Sequence, residues 1–298
     1  MDRHSRHAGS WYAGTQESLQ NQIHNLFLSE WGYGKDPLEA LEERTFNQDI
    51  LGIVSPHAGY VYSGPIASHG YAEIYKNFES LDTVVVLGPN HSGVGAAVSF
   101  YPEGKWHNPL GAVNIDTDLI DFAQSYDFGD IQNRVGFESS AHLSEHSIDI
   151  QLPFLQYLYE KNPFKFVPIC LWDQSLSPTV ERLATFLQDY IKAHSEKKIL
   201  IVASSDFSHE YNYDLAVKND KTMLSHLEKA DLIKAEEFRK EVSMTMCGYG
   251  PVFSLIKTAE LLGTPSIKVL KYANSSDIRS GGGYTVGYAS ITVKAKNK

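Results

Sequence analysis

Several short stretches of this chain are apolar almost throughout and rich in β-branched side chains, and they restrict the fold more than any other feature. The clearest are residues 50–55, 83–87, 166–171 and 198–204. A strand with one wet face alternates apolar and polar residues. A continuous apolar run needs cover on both faces, which is the condition of strands inside a parallel sheet. Residues 97–100, 267–272 and 284–293 add three further strand candidates. The last alternates more and carries Gly287 in its middle, as an edge or antiparallel strand would.

Helical periodicity fills the gaps. Leu19, Ile23, Leu26 and Phe27 mark one amphipathic helix. Ser177-Pro178 reads as the N-cap and first turn of another, with Val180, Leu183, Ala184, Leu187 and Ile191 on its buried face. Pro65 and Pro251, each preceded by Gly, read as first-turn prolines of two more. Strand–helix alternation predicts an α/β fold, with a mostly parallel open sheet and helices on both faces. No repeat, low-complexity stretch or linker divides residues 1–298, so a single domain is expected. Gly281-Gly282-Gly283 precedes the last strand and reads as a turn rather than an anion nest.

The formal charge of −10 argues against nucleic acid and anionic membrane surfaces, both of which need clustered Lys and Arg. No apolar run is long enough to span a bilayer. The polar N-terminus lacks the apolar core of a signal peptide. The two cysteines, Cys170 and Cys247, fall short of a disulfide scaffold. A cytoplasmic protein is expected.

The placement of the histidines points to a site. His57 follows the 50–55 strand, His91 follows the 83–87 strand, and His209 follows the 198–204 strand together with Asp206. The carboxyl ends of parallel strands are where open α/β sheets bind ligands. Cys247 lies just ahead of a predicted helix, whose N-terminus would lower its thiol pKa. Cys170, inside an apolar strand, reads as core. Asp206 and His209, three apart, face the same way if a helical turn has begun, so that the carboxylate orients the imidazole; Asp206 equally suits a helix N-cap, and the two roles do not exclude each other. Glu145 and Asp149, four apart at the start of another helix, read as a solvated acidic first turn with His146 turned away.

Six segments carry a family resemblance. They are His7-Ala8-Gly9-Ser10-Trp11-Tyr12, Pro56-His57-Ala58-Gly59-Tyr60, Gly88-Pro89-Asn90-His91, Glu145-His146-Ser147-Ile148-Asp149, Ser204-Ser205-Asp206-Phe207-Ser208-His209 and Met246-Cys247-Gly248. In this order they resemble the Memo family and, distantly, the class III extradiol non-haem iron dioxygenases that share its fold. The resemblance implies a class III extradiol dioxygenase-like sheet with a pocket at the strand ends. It implies metal ligands at His57, His91 and Cys247, a catalytic histidine at His209 beside Asp206, and aromatic ligand-binding residues at Trp11, Tyr60 and Tyr62.

A thiolate in place of the dioxygenases' carboxylate ligand is softer, so copper, zinc and iron all come into play, with iron or copper expected ahead of zinc, and it speaks against ring cleavage. Three readings follow: a redox or oxygen-handling metal site, a binding module for a phosphopeptide or other acidic ligand, and an enzyme using Cys247 as nucleophile with His209 as base. The strand-end loops offer no arginine for a phosphate. A cysteine nucleophile would leave two histidines surplus. The metal reading therefore leads, with a small molecule or peptide as the pocket's ligand and the oligomeric state open.

Overall fold

The computed structural model describes residues 1–279 and 283–296. Its centre is a run of four parallel strands whose side chains are buried on both faces. They are β1 (Ile50–Ser55), β2 (Thr83–Pro89), β3 (Lys165–Leu171) and β4 (Ile199–Ser204), in the spatial order β3-β2-β4-β1. Val84 to Leu87 and Leu200 to Ala203 are fully buried, which is why these stretches tolerate no alternation. The register pairs Ser55 with Ser204 and Leu87 with Ala203. The carboxyl ends of β1, β2 and β4 therefore lie side by side.

Antiparallel additions extend this core. β5 (Thr264–Asn274) pairs with β6 (Thr285–Lys296), and β6 pairs with β1. The last strand is antiparallel as expected, but it is no edge: β5 covers its outer side, and most of its residues are buried. On the far flank, Val98–Phe100 pairs antiparallel with β3. The whole forms a large, mostly parallel open sheet flanked by helices, and one continuous apolar cluster runs from Tyr12 to Val293.

Of the predicted helices, α1 (Gln16–Leu28) buries Leu19, Ile23, Leu26 and Phe27. α2 (Tyr60–Asn77) begins earlier than its proline suggested, so Pro65 sits in the second turn rather than the first. Ser177 does not cap a helix. Its backbone is extended, and the regular helix α3 (Glu181–Ala193) starts after a wide turn at Leu176–Val180. Pro251 does lie in the first turn of α4 (Tyr249–Leu262). Gly281 and Gly282 lie outside the described residues. Among the described residues, no helix is long and apolar enough to cross a membrane.

Two glycines let loops approach the strand ends closely. A Cβ on Gly88 would meet Ser147 Oγ at 2.5 Å and Ile148 Cγ1 at 2.7 Å. A Cβ on Gly248 would meet the Ser204 carbonyl oxygen at 2.2 Å. Their missing side chains are the reason the Glu145 and Cys247 segments press onto the same sheet edge.

Candidate metal centre

At that edge the imidazoles of His57 and His91 and the thiol of Cys247 come together, with one donor atom from each lying within 4.8 Å of the others. Cys247 Sγ is 3.1 Å from His57 Nε2. Metal–nitrogen and metal–sulfur bonds of about 2.0 and 2.3 Å would separate two such donors by roughly 3.1–3.6 Å. The donor set therefore fits a single ion of the borderline or soft kind.

Hydrogen bonding decides which nitrogen each histidine presents. Ser204 Oγ donates its only proton to the Ser147 carbonyl at 2.6 Å and accepts from Gln151 Nε2 at 2.9 Å. Its remaining lone pair, 2.8 Å from His57 Nδ1, can only accept, so Nδ1 carries the proton. His91 Nδ1 lies 2.8 Å from the Glu145 carboxylate, again an acceptor. In both residues Nε2 is left with its lone pair. A metal ligand needs this arrangement: the far nitrogen held, the near one free.

The electrostatics agree for His57. Burial, reinforced by the neighbouring imidazoles, holds His57 well below the usual histidine range, so it stays neutral. Glu145 has no exposed side-chain surface. Burial pushes its carboxyl up, but the His91 hydrogen bond, the charges of His91 and His146 and the Ser147 amide together bring it down to about 2. For Cys247 the sequence expectation fails. Desolvation first, and the Asp206 carboxylate second, push the thiol well above the ordinary value, outweighing the helix N-terminus behind it. The buried Cys170 is core, as its strand position implied.

The Asp206–His209 pair predicted from spacing does not form. Residues 206–208 run in irregular backbone rather than a helical turn, so Asp206 caps no helix either. Asp206 instead accepts the His57 backbone N–H at 2.7 Å, and burial raises its carboxyl to about 6 against the pull of the His57 amide. His209 is oriented by main chain. Its Nδ1 faces the carbonyls of Phe207 and Thr245, both at 3.0 Å, so Nδ1 is again protonated and Nε2 is free to take a proton.

Two groups were missed in the sequence. Glu145 and Asp149 are buried rather than solvated, each within a polar network. Asp149 pairs with the buried guanidinium of Arg3 at 2.7 Å, and Arg3 also donates to the Glu145 carbonyl. His146 does not turn away. Its ring stacks on His91 at 4.4 Å between centroids, and burial lowers it to about 4. His91, Glu145 and His146 form a second donor group that shares His91 with the first. The sequence signal for it was the close run of Glu, His and Asp after a serine, which is also one of the six segments that carry the family resemblance.

The predicted aromatic residues divide. Trp11 packs over His146 with centroids 4.2 Å apart, which brings the N-terminal segment across the site. Tyr62 is exposed and lines a cavity of about 580 Å³ together with Trp11. Tyr60 does not face that cavity: it is buried among Tyr12 and Phe154, with its hydroxyl on the Ile150 carbonyl.

Comparison with known proteins matches nearly the whole chain to one family. The family model described as "Memo-like protein" matches residues 3–292. A MEMO1 family protein of Methanococcus maripaludis strain C5 is 38% identical over 300 residues, covering 99% of this chain and 100% of the relative. One from Methanocaldococcus jannaschii is 36% identical, covering 96% of this chain and 97% of the relative. A third, from Saccharolobus solfataricus, is 36% identical, covering 94% and 95%. With six motifs in order and relatives matched end to end, the chain belongs to the Memo family.

Proposed function

We propose that this chain is a metal-binding protein in which His57, His91 and Cys247 hold iron or copper for redox or oxygen chemistry, and His209 moves protons beside it. The observation that carries the reading is the shared protonation pattern. His57 and His91 are each pinned through Nδ1, by Ser204 and Glu145 respectively, while His57 Nε2 lies 3.1 Å from Cys247 Sγ and one donor atom of each of the three residues lies within 4.8 Å of the others. The buried, neutral imidazole of His57 needs no deprotonation before binding. The raised thiol of Cys247 gives up its proton only to a strong competitor for the sulfur, which a soft metal ion is.

When bound, iron or copper would supply one-electron redox chemistry. Everything else falls to the chain. Asp206 holds the His57 loop through its backbone amide. His209, with Nε2 free, is placed to accept or return a proton. Ring cleavage is not part of the proposal, because the third ligand is a thiolate rather than a carboxylate.

The test is metal content of protein purified without chelator, combined with the alkylation rate of Cys247. The reading expects iron or copper near one per chain, its loss in Cys247→Ser and His91→Ala, and slow alkylation of loaded protein that speeds up on chelation. His209→Ala should retain both the metal and the protection. Rapid alkylation of loaded protein, slowed by His209→Ala, would instead make Cys247 a nucleophile.

A further inference from the structure

The 580 Å³ cavity beside the metal centre has a composition of its own. Trp11, Tyr62, Tyr284 and Tyr288 contribute four aromatic rings to its wall, with Ser275 and Ser276 between them. Among the described residues that line it, the one charged group is Arg279. The chain carries 36 acidic against 26 basic residues, yet among the described residues no carboxylate lines this cavity. The Arg279 guanidinium stands over the Tyr62 ring at 5.6 Å, a placement that steadies it without neutralising it. No ion pair of Arg279 is found among the described residues.

We propose that this cavity binds a small, flat organic anion, an aromatic carboxylate, with Arg279 pairing the carboxylate and the aromatic wall enclosing the ring. The volume is that of a small-molecule site. A planar guanidinium matches a carboxylate in bidentate fashion, and aromatic faces accept a flat ring at little entropic cost. The cavity also meets the metal centre. Trp11 lines it and packs on His146, Ala58 and Gly59 line it and directly follow His57, and Tyr284 lines it 6.5 Å from the His209 ring. The proposal rests on the metal-centre reading for the ligand's fate, and on the cavity alone for its binding. A phosphorylated peptide fits less well, because a dianionic phosphate ordinarily draws more than one arginine.

Calorimetric titration of the full chain, metal-loaded and metal-free, tests this with 2-naphthoate, its neutral amide 2-naphthamide, and a phosphotyrosine peptide. Naphthoate should bind in both states and naphthamide at least about tenfold more weakly, a ratio equivalent to losing one charged hydrogen-bonding partner. Arg279→Ala should weaken naphthoate at least about tenfold, with Arg279→Lys in between, and leave naphthamide unchanged. Arg279 is exposed, so the variants fold, and their metal content should equal that of the unaltered chain. Equal binding of acid and amide, naphthoate binding indifferent to Arg279, or no naphthoate binding would each overturn the proposal. An Arg279-dependent peptide that binds more tightly than naphthoate would reassign the cavity to peptide recognition. Loss of the metal reading with naphthoate binding intact would leave the cavity proposal standing.

Discussion

The candidate metal pocket and the cavity next to it share Trp11, yet they are built on opposite principles. In the pocket nearly every polar atom is assigned: Ser204 makes three hydrogen bonds, and both Glu145 oxygens accept from His91, one from its backbone amide and one from its ring. The cavity offers ring faces and a single guanidinium with room around it. An over-determined network holds ligands to within tenths of an ångström, as a metal requires. An open aromatic wall adapts to a guest. The difference suits the two proposals, fixed geometry for a metal in one region and adaptable recognition of a guest in the other.

The comparison breaks first at the N-terminal segment if the pocket is less rigid than its hydrogen bonds imply. Arg3 is buried, donates to the Asp149 carboxylate and to the His142 and Glu145 carbonyls, and stacks on Trp106. Arg3→Met strands the Asp149 charge and should cost about 3–5 kcal/mol of stability, read by urea denaturation. A loss below about 1 kcal/mol would mean that this network is dispensable.

Next in size is the carboxylate behind His91. Glu145→Gln keeps the shape but removes the charge, and should weaken metal binding about 10–100-fold while leaving naphthoate binding unchanged. Competition with a chelator measures the first, and titration calorimetry the second. Equal loss of both would show that pocket and cavity are one unit.

Acid sharpens the contrast through His142, which is buried beside Ser99, Cys170 and Arg3 and does not line the cavity. Burial first, and the Arg3 charge second, hold its folded-state pKa at about 3. The unfolded chain takes up a proton below about pH 6.5 and the folded chain does not, so stability falls as pH drops from 6.5 towards 3. At pH 5 this one group accounts for about 2 kcal/mol. His142→Gln should flatten that part of the stability–pH curve, and an unchanged slope would locate the acid sensitivity elsewhere.

The smallest effect belongs to the cavity wall. Tyr62 is exposed, so Tyr62→Ala should alter stability by less than about 0.5 kcal/mol while weakening naphthoate. A large stability loss would make Tyr62 a packing residue like Tyr60.

Much of this was legible before any coordinates. The unbroken apolar runs of β1, β2 and β4 implied strands buried on both faces, and residues just past their ends must share one edge. Continuous apolar runs belong to the chain itself, so His57, His91 and His209 could be grouped from their places just after them. Cys247 was placed by its resemblance to a family motif rather than by any period. Side-chain direction and desolvation are different matters. Glu145 and Asp149 look like an ordinary acidic first turn, and only the Arg3 segment, about 140 residues away in sequence, and the approach over Gly88 turn them into buried partners. Asp206 lies three residues from His209, but irregular backbone sends its carboxylate to the His57 amide instead. The rise in the Cys247 thiol pKa, the inward turn of His146 and the charge of Arg279 in an aromatic wall likewise depend on elements far apart in the chain. Periodic burial is local and can be read in sequence, whereas the partner that satisfies a buried charge is chosen by packing and exists only once the chain has folded.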